Sequence, residues 1–172
     1  VEASKASTGN VAVHLSPSLV NEIVHQAIGD YSEKLTTGKL EVIVNTYEGN
    51  LEAMADGRLL WRVLDNLLGN VCKYALAGTR VYVDLTARDG RVYLSIKNIS
   101  RDPLNVSAQD LMERFVRGDT SRHTEGSGLG LNIAKSLIDL MGGTFDLRVV
   151  GELFKATLTL PHASRAPAPQ PP

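Results

Sequence analysis

The sequence predicts an α+β domain: a two-layer sandwich with a mixed, mostly antiparallel sheet and three helices on one face. Three observations predict it. Segments of strand and helix pattern follow in the order strand, helix, strand, helix, two paired strands, long loop, helix, two paired strands. The paired strands are hairpins, which impose antiparallel neighbours. Helical segments with an apolar stripe must cover a sheet face to bury it.

Residues 1–10, VEASKASTGN, have helical composition and break at Gly9-Asn10, so they read as the end of a preceding helix plus a linker. VAVHL (11–15) alternates like a short strand. Ser16-Pro17-Ser18 then opens a helix, with Ser16 as N-cap and Pro17 in its first turn. Leu19, Ile23, Ala27 and Ile28 recur at helical spacing, and Gly38 stops the helix. LEVIV (40–44) is a strand and Gly49-Asn50 a turn. A second helix runs from Asp56 to about residue 75, with Gly78 just beyond. RVYVDLTA (80–87) and RVYLSIKN (91–98) are strands joined through Asp89-Gly90, a hairpin signal. Residues 99–127 lack a long apolar period, and only AQDLMERF (108–115) looks helical. So long a loop in a compact domain marks a functional lid or a disordered segment. A third helix spans 129–141 and ends at Gly142-Gly143. TFDLRVV (144–150) and LFKATLTL (153–160) close the domain around Gly151-Glu152. The organisation is therefore linker 1–10, one domain 11–161, and a Pro-rich tail 162–172 expected to be disordered.

At 172 residues there is room for one domain with a substantial core. The net charge of −1 gives no sign of a nucleic-acid or membrane-surface partner. The single cysteine, Cys72, cannot form an internal disulfide, and inside a helical pattern it reads as a small buried hydrophobe. No apolar run approaches the ~20 residues that cross a bilayer. The chain opens on Val1 and reads as a fragment, with any membrane anchor outside it.

Two features point to chemistry. On the second helix Leu60, Leu64, Leu67, Leu68, Val71 and Ala75 form one stripe, while Asn66, Asn70 and Lys73 form another on the opposite side. Two asparagines one turn apart cost helix propensity. Their oxygens can ligate a hard cation, and lysine can pair with phosphate. A merely polar outer face fits the same spacing. Secondly, Gly126-Ser127-Gly128-Leu129-Gly130-Leu131 runs straight into the third helix. Glycines admit a ligand close to the backbone, and a helix N-terminus offers free N–H groups, so together they suit a phosphate. Arg114, Arg117 and Arg122 stand upstream. The spacing is neither the dinucleotide fingerprint nor a P-loop.

The motifs DNLLGNVCKYA (65–75), ERFVRGDTSR (113–122), GSGLGLNIAKSL (126–137) and GGTF (142–145), in this order, closely resemble the ATP-binding catalytic domain of bacterial sensor histidine kinases. That family belongs to the ATPase superfamily of gyrase, Hsp90 and MutL. The resemblance covers about residues 11–160 and implies a Bergerat-type fold with an ATP lid. It implies that Asn66 and Asn70 form the N box, with Asn70 holding Mg²⁺ against the phosphates. Lys73 would contact phosphate and Tyr74 pack near the nucleotide. Phe115 would be the lid aromatic, and Arg117 and Arg122 lid cations near the γ-phosphate. Gly126, Ser127, Gly128, Leu129 and Gly130 would hold the triphosphate. Asn98 stands where the family has an adenine-binding Asp, and both glycines that follow it in the family are missing here. An amide oxygen can still accept the adenine bond, without the strength of a charge-assisted one.

Hydrolytic superfamily members carry Glu at the position of Asn66, which cannot act as a base. Asp65 is adjacent but about 100° away around the helix. The site is thus expected to position ATP for transfer. None of His14, His25, His123 and His162 has the setting of a phosphoacceptor, so the acceptor is expected upstream of Val1. The resemblance implies the cofactors ATP and Mg²⁺. As partners it implies the protein's own dimerisation and phosphotransfer domain and a response regulator. It implies a cytoplasmic place in a membrane-anchored kinase. One rival reading is a degenerate nucleotide-binding or scaffold domain that regulates a partner kinase. Another is a serine kinase of the same fold acting on an anti-sigma-factor antagonist.

Overall fold

The computed structural model describes residues 12–46, 49–102 and 129–163. The linker at 1–10, the loop helix at 108–115 and most of the tail lie outside the described residues. The elements are β1 (Ser16–Leu19), α1 (Val20–Asp30), α2 (Ser32–Thr37), β2 (Glu41–Thr46), β3 (Glu52–Ala55), α3 (Gly57–Tyr74), β4 (Arg80–Arg88), β5 (Arg91–Ile99), α4 (Leu129–Leu140), β6 (Thr144–Val150) and β7 (Leu153–Pro161). The main sheet has the order β2-β4-β5-β7-β6, and β1 and β3 form a separate two-stranded ribbon. β2 runs parallel to β4, and every other pairing is antiparallel.

The first elements differ from the sequence reading. Residues 12–15 are irregular, and the strand lies at Ser16–Leu19, where a helix start is expected. The Ser18 hydroxyl donates to the Ala55 carbonyl at 3.0 Å, and Pro17 pairs with Met54. Proline is admissible there because β1 pairs on one side only. β3, absent from the sequence reading, is the short segment EAMA, a strand only because β1 lies beside it. The helix then starts at Val20 without a side-chain cap. Asn21, 6% exposed, takes over the local bonding: its amide donates to Gly49 O at 3.0 Å and its oxygen accepts from Leu51 N at 2.7 Å. The single helix expected up to Gly38 is broken at Tyr31, whose φ of −102° and ψ of 8° leave the helical region. The Trp61 indole N–H reaches Asp30 at 3.2 Å, and so joins the end of α1 to α3.

The α3 stripe is buried as its period requires: Leu60, Leu64 and Leu68 are 0–1% exposed, and Leu67 and Val71 4%. Against it lie Leu131, Ala134, Leu137 and Ile138 of α4, Met141 just beyond it, and the inward row Val92, Leu94, Ile96 of β5. His162, placed in the tail by the sequence, bridges to Ala53, and its N–H bonds Gly90 O at 3.0 Å.

Asp56 fixes the start of α3. Its carboxylate accepts from Arg58 N (3.1 Å), Leu59 N (3.4 Å) and the distant His14 N (2.9 Å), with the Arg58 guanidinium at 3.2 Å. Burial alone would raise this carboxyl, but the bonds from His14, Arg58 and Leu59 and the Arg58 charge hold it below the usual value. Near the same end of the layer, where Asp56 N lies 3.3 Å from the Met141 sulfur, Gly143 passes so close to β7 that an added Cβ would overlap the Thr159 carbonyl oxygen and crowd Leu160 and Ile138.

Two outcomes follow. Gly143→Ala should cost about 3 kcal/mol in urea unfolding, because backbone rather than a flexible side chain is in the way. Asp56→Ala should cost about 2 kcal/mol at neutral pH through loss of the cap. A depressed carboxyl stabilises above its unfolded value of 3.8 and loses that contribution as pH falls through its lower folded value. The wild-type advantage over Asp56→Ala in thermal melts should therefore be constant from pH 7 to about 5 and shrink below about 4.

Candidate functional site

Three elements converge on a cleft of about 760 Å³, lined by Tyr31, Glu33, Lys34, Thr37 and Gly38 from the α1–α2 region, Asp65, Asn66, Gly69, Asn70, Cys72 and Lys73 from α3, and Gly130 and Ile133 from α4. The period of α3 explains this: with its leucines turned to the core, its asparagines face the start of α4. A Cβ built on Gly130 would lie 3.6 Å from Asn66 Cβ and 3.7 and 3.8 Å from Asn70 Nδ2 and Oδ1. The described start of α4 therefore stands directly beside both asparagines. Asn66 Nδ2 is buried and has no hydrogen-bond partner among the described residues. A buried donor left open in this way is one that a ligand oxygen would satisfy.

Lys73 lines the cleft and is exposed. Asp65 does not stand free: the Tyr31 hydroxyl donates to its Oδ1 at 2.7 Å and also approaches its carbonyl oxygen at 3.0 Å. Gly69 makes room, since a Cβ there would sit 3.3 Å from the Tyr31 oxygen. Burial, the bond to Asp65 and that carboxylate's charge hold the Tyr31 phenol well above its ordinary value of 10.0. Lys34 stands 5.4 Å over the Tyr31 ring. Cys72 is half-buried, and burial raises its thiol against the opposing Lys34 charge, so it stays protonated and packs as a hydrophobe beside the core.

Two expected site residues lie apart from these. Asn98, 5% exposed, continues the inward row of β5 beyond Ile96. Tyr74, 37% exposed, ends α3. Neither lines the cleft, but the two element ends are fastened together: Leu76 N donates to Ile99 O and Arg101 N to Tyr74 O, both at 2.8 Å. Asn98 is thereby held at the end of the helix that carries Asn70 and Lys73. Phe115, Arg114, Arg117, Arg122, Gly126, Ser127 and Gly128 lie outside the described residues, and Leu129 begins α4. His14 uses its backbone N–H on Asp56, His25 is exposed on α1, and His123 is outside the described residues. Tyr31 and Lys34 were not foreseen: they reach the cleft through the helix break, which the apolar period of the sequence does not reveal. Among the described residues no group of three or more His, Cys, Asp or Glu could hold a metal.

The family described as histidine kinase-, DNA gyrase B-, and HSP90-like ATPase matches residues 55–164. The sensor histidine kinase HprS of Escherichia coli K12 is 33% identical over 159 residues, which are 92% of this chain and 34% of that protein. The chain therefore spans about a third of the length of this relative. Among solved structures, the catalytic domain of histidine kinase ThkA in a nucleotide-free form superposes with a TM-score of 0.75 at 21% identity, covering 86% of this chain and 95% of that one. ThkA in complex with the response regulator TrrA gives 0.72 at 18% identity, covering 90% and 43%. The described elements and these structures share one fold, as the sequence predicts.

Tyr31→Phe should cost about 1 kcal/mol, from loss of the bond to Asp65. A raised phenol stabilises below its unfolded value of 10.0 and loses that contribution as pH rises toward the folded value. Denaturation from pH 7 to 11 should show the difference between wild type and variant constant up to about pH 9 and shrinking above it.

Proposed function

We propose a use for this site from one premise: the chain belongs to the histidine kinase-, DNA gyrase B-, and HSP90-like ATPases, as an ATP-binding catalytic domain of the sensor histidine kinase type. It binds Mg-ATP and positions the γ-phosphoryl group for transfer to a histidine on a separate upstream domain. The observation that carries this reading is the placement of Gly130 against Asn66 and Asn70, which sets a helix N-terminus facing two amide side chains. Backbone N–H groups there suit phosphate oxygens, and the open Nδ2 of Asn66 can donate to another. The donor set also fits magnesium, which takes few protein ligands and keeps phosphate and water oxygens. Asn70 would hold it, and when bound it would neutralise phosphate charge.

Lys73 contacts phosphate, and Asn98 accepts from the adenine amine through its amide oxygen. Tyr74 packs near the nucleotide. Phe115, Arg117 and Arg122 serve as lid residues, and Gly126 to Gly130 hold the triphosphate. Phosphoryl transfer needs alignment and charge stabilisation more than covalent help, so a precise cradle is enough. Asn66 cannot take a proton from water, and the Asp65 carboxylate is engaged by Tyr31. Both features favour transfer over hydrolysis. The acceptor histidine belongs to the dimerisation domain of the same protein, and a response regulator receives the phosphoryl group next. The domain works in the cytoplasmic part of a membrane-anchored kinase.

Calorimetric titration with ATP tests this. Binding should require Mg²⁺ and weaken about tenfold or more in Asn70→Ala, equivalent to about 1.4 kcal/mol. No heat at millimolar ATP would instead favour a scaffold whose Asn98 no longer supports adenine. With labelled ATP the chain alone should acquire no acid-labile phosphate. Phosphohistidine formed on it would overturn the assignment of the acceptor to another domain.

A further inference from the structure

The outer face of the main sheet, opposite the buried row Val92, Leu94 and Ile96, carries a pattern that nucleotide binding does not use. Tyr82 pairs with Lys97, Lys97 with Lys155, and Lys155 with Arg148, so one cross-strand row runs over β4, β5, β7 and β6. Three cations therefore stand side by side, within about 10 Å at ordinary strand spacing. No acidic residue belongs to that row, although the whole chain has a net charge of −1.

Like charges directly opposite one another destabilise a sheet. The relief visible here is small. The Lys97 ammonium lies 5.3 Å over the Tyr82 ring, and Arg148 makes a long 3.8 Å exposed contact with Asp146. Beside the cations runs an apolar row in which Ile99 pairs with Leu153 and Leu153 with Val150. Val150 is 69% exposed, unusually open for a large hydrophobe in regular structure. On the other side of the cations the next row carries Asp84 and Asp146 at its two ends, with Ser95 and Thr157 between them. Lys97 and Lys155 in the middle of the face thus have no carboxylate directly opposite them, and they stand beside an apolar row whose valine is open to water.

We propose that this face is a docking surface for an acidic protein segment. Two or more carboxylates within about 10 Å meet Lys97, Lys155 and Arg148, and a neighbouring apolar side chain covers Leu153 and Val150. Charge complementarity selects the partner, and the apolar row sets its register. The surface is independent of ATP, so failure of the nucleotide reading leaves it standing.

The test is an NMR titration of the ¹⁵N-labelled 172-residue chain with a short peptide of alternating glutamate and leucine. Saturable shifts are expected at Lys97, Ile99, Arg148, Val150 and Lys155, and they should weaken steeply between about 50 and 300 mM salt. Lys155→Glu should weaken binding about tenfold or more. The same variant should melt about 2 °C higher or more, because two repulsions become attractions. That opposite response separates a binding row from one kept for stability. If Lys155→Glu folds poorly, Lys155→Gln and Arg148→Gln should show the same two trends. The proposal is overturned by no saturable shifts at millimolar peptide, or by equal shifts with a leucine–glutamine peptide. It is also overturned if the same residues shift on phosphatidylglycerol vesicles and the acidic peptide cannot compete, or if they shift only on self-association of the chain.

Discussion

Burial of the leucine stripe of α3 dictates where the other elements of the helix layer can stand. Five side chains at 4% exposure or less, each contributing about 2 kcal/mol, allow the helix one rotation about its axis. That rotation turns Asn66, Asn70 and Lys73 outward together and leaves the junction of α1 and α2 on one side of them and α4 on the other. Asp56 holds the same helix from its start, through bonds to His14, 42 positions away, and to Arg58, two positions on. The cleft is therefore a product of core packing: its polar wall is the reverse of an apolar one.

The asparagines are placed by the core, and the start of α4 stands beside them. A Cβ at Gly130 would meet Asn66 and Asn70 at ordinary van der Waals distances of 3.6 to 3.8 Å, so the approach of α4 is set by the packing of the helix layer. Tyr31 lines the same cleft from the side of the α1–α2 junction. Its hydroxyl occupies the carboxylate nearest the asparagines, and Gly69 leaves the space for it to do so. The face that α3 turns to the cleft thus carries two amides and a lysine, and its one carboxylate is already engaged by Tyr31.

Much of this was legible in the sequence. The period of α3 predicted both its faces, and the hairpin turns at Asp89-Gly90 and Gly151-Glu152 predicted the antiparallel pairs. Elements that depend on distant partners were not legible. β3 is an alanine-rich tetrad with little strand propensity, and it exists because β1 offers it a ladder. Ser16 and Pro17 carry the chemistry of a helix start, yet pairing with Met54 and Ala55 outweighs it. The break at Tyr31 follows no glycine or proline at that residue; it accompanies a bond to Asp65, 34 positions later. Side chains that reach the site from such a break leave no periodic trace.

The bond between Trp61 and Asp30 has an optical consequence. The chain contains one tryptophan, and it bridges the two helices whose relative placement shapes one wall of the cleft. Its fluorescence therefore arises from a single position, and a carboxylate at 3.2 Å from the indole nitrogen makes the emission sensitive to any separation of those helices. The domain carries an intrinsic spectroscopic gauge of the junction between α1 and α3, which can be read without a label and without disturbing the cleft itself.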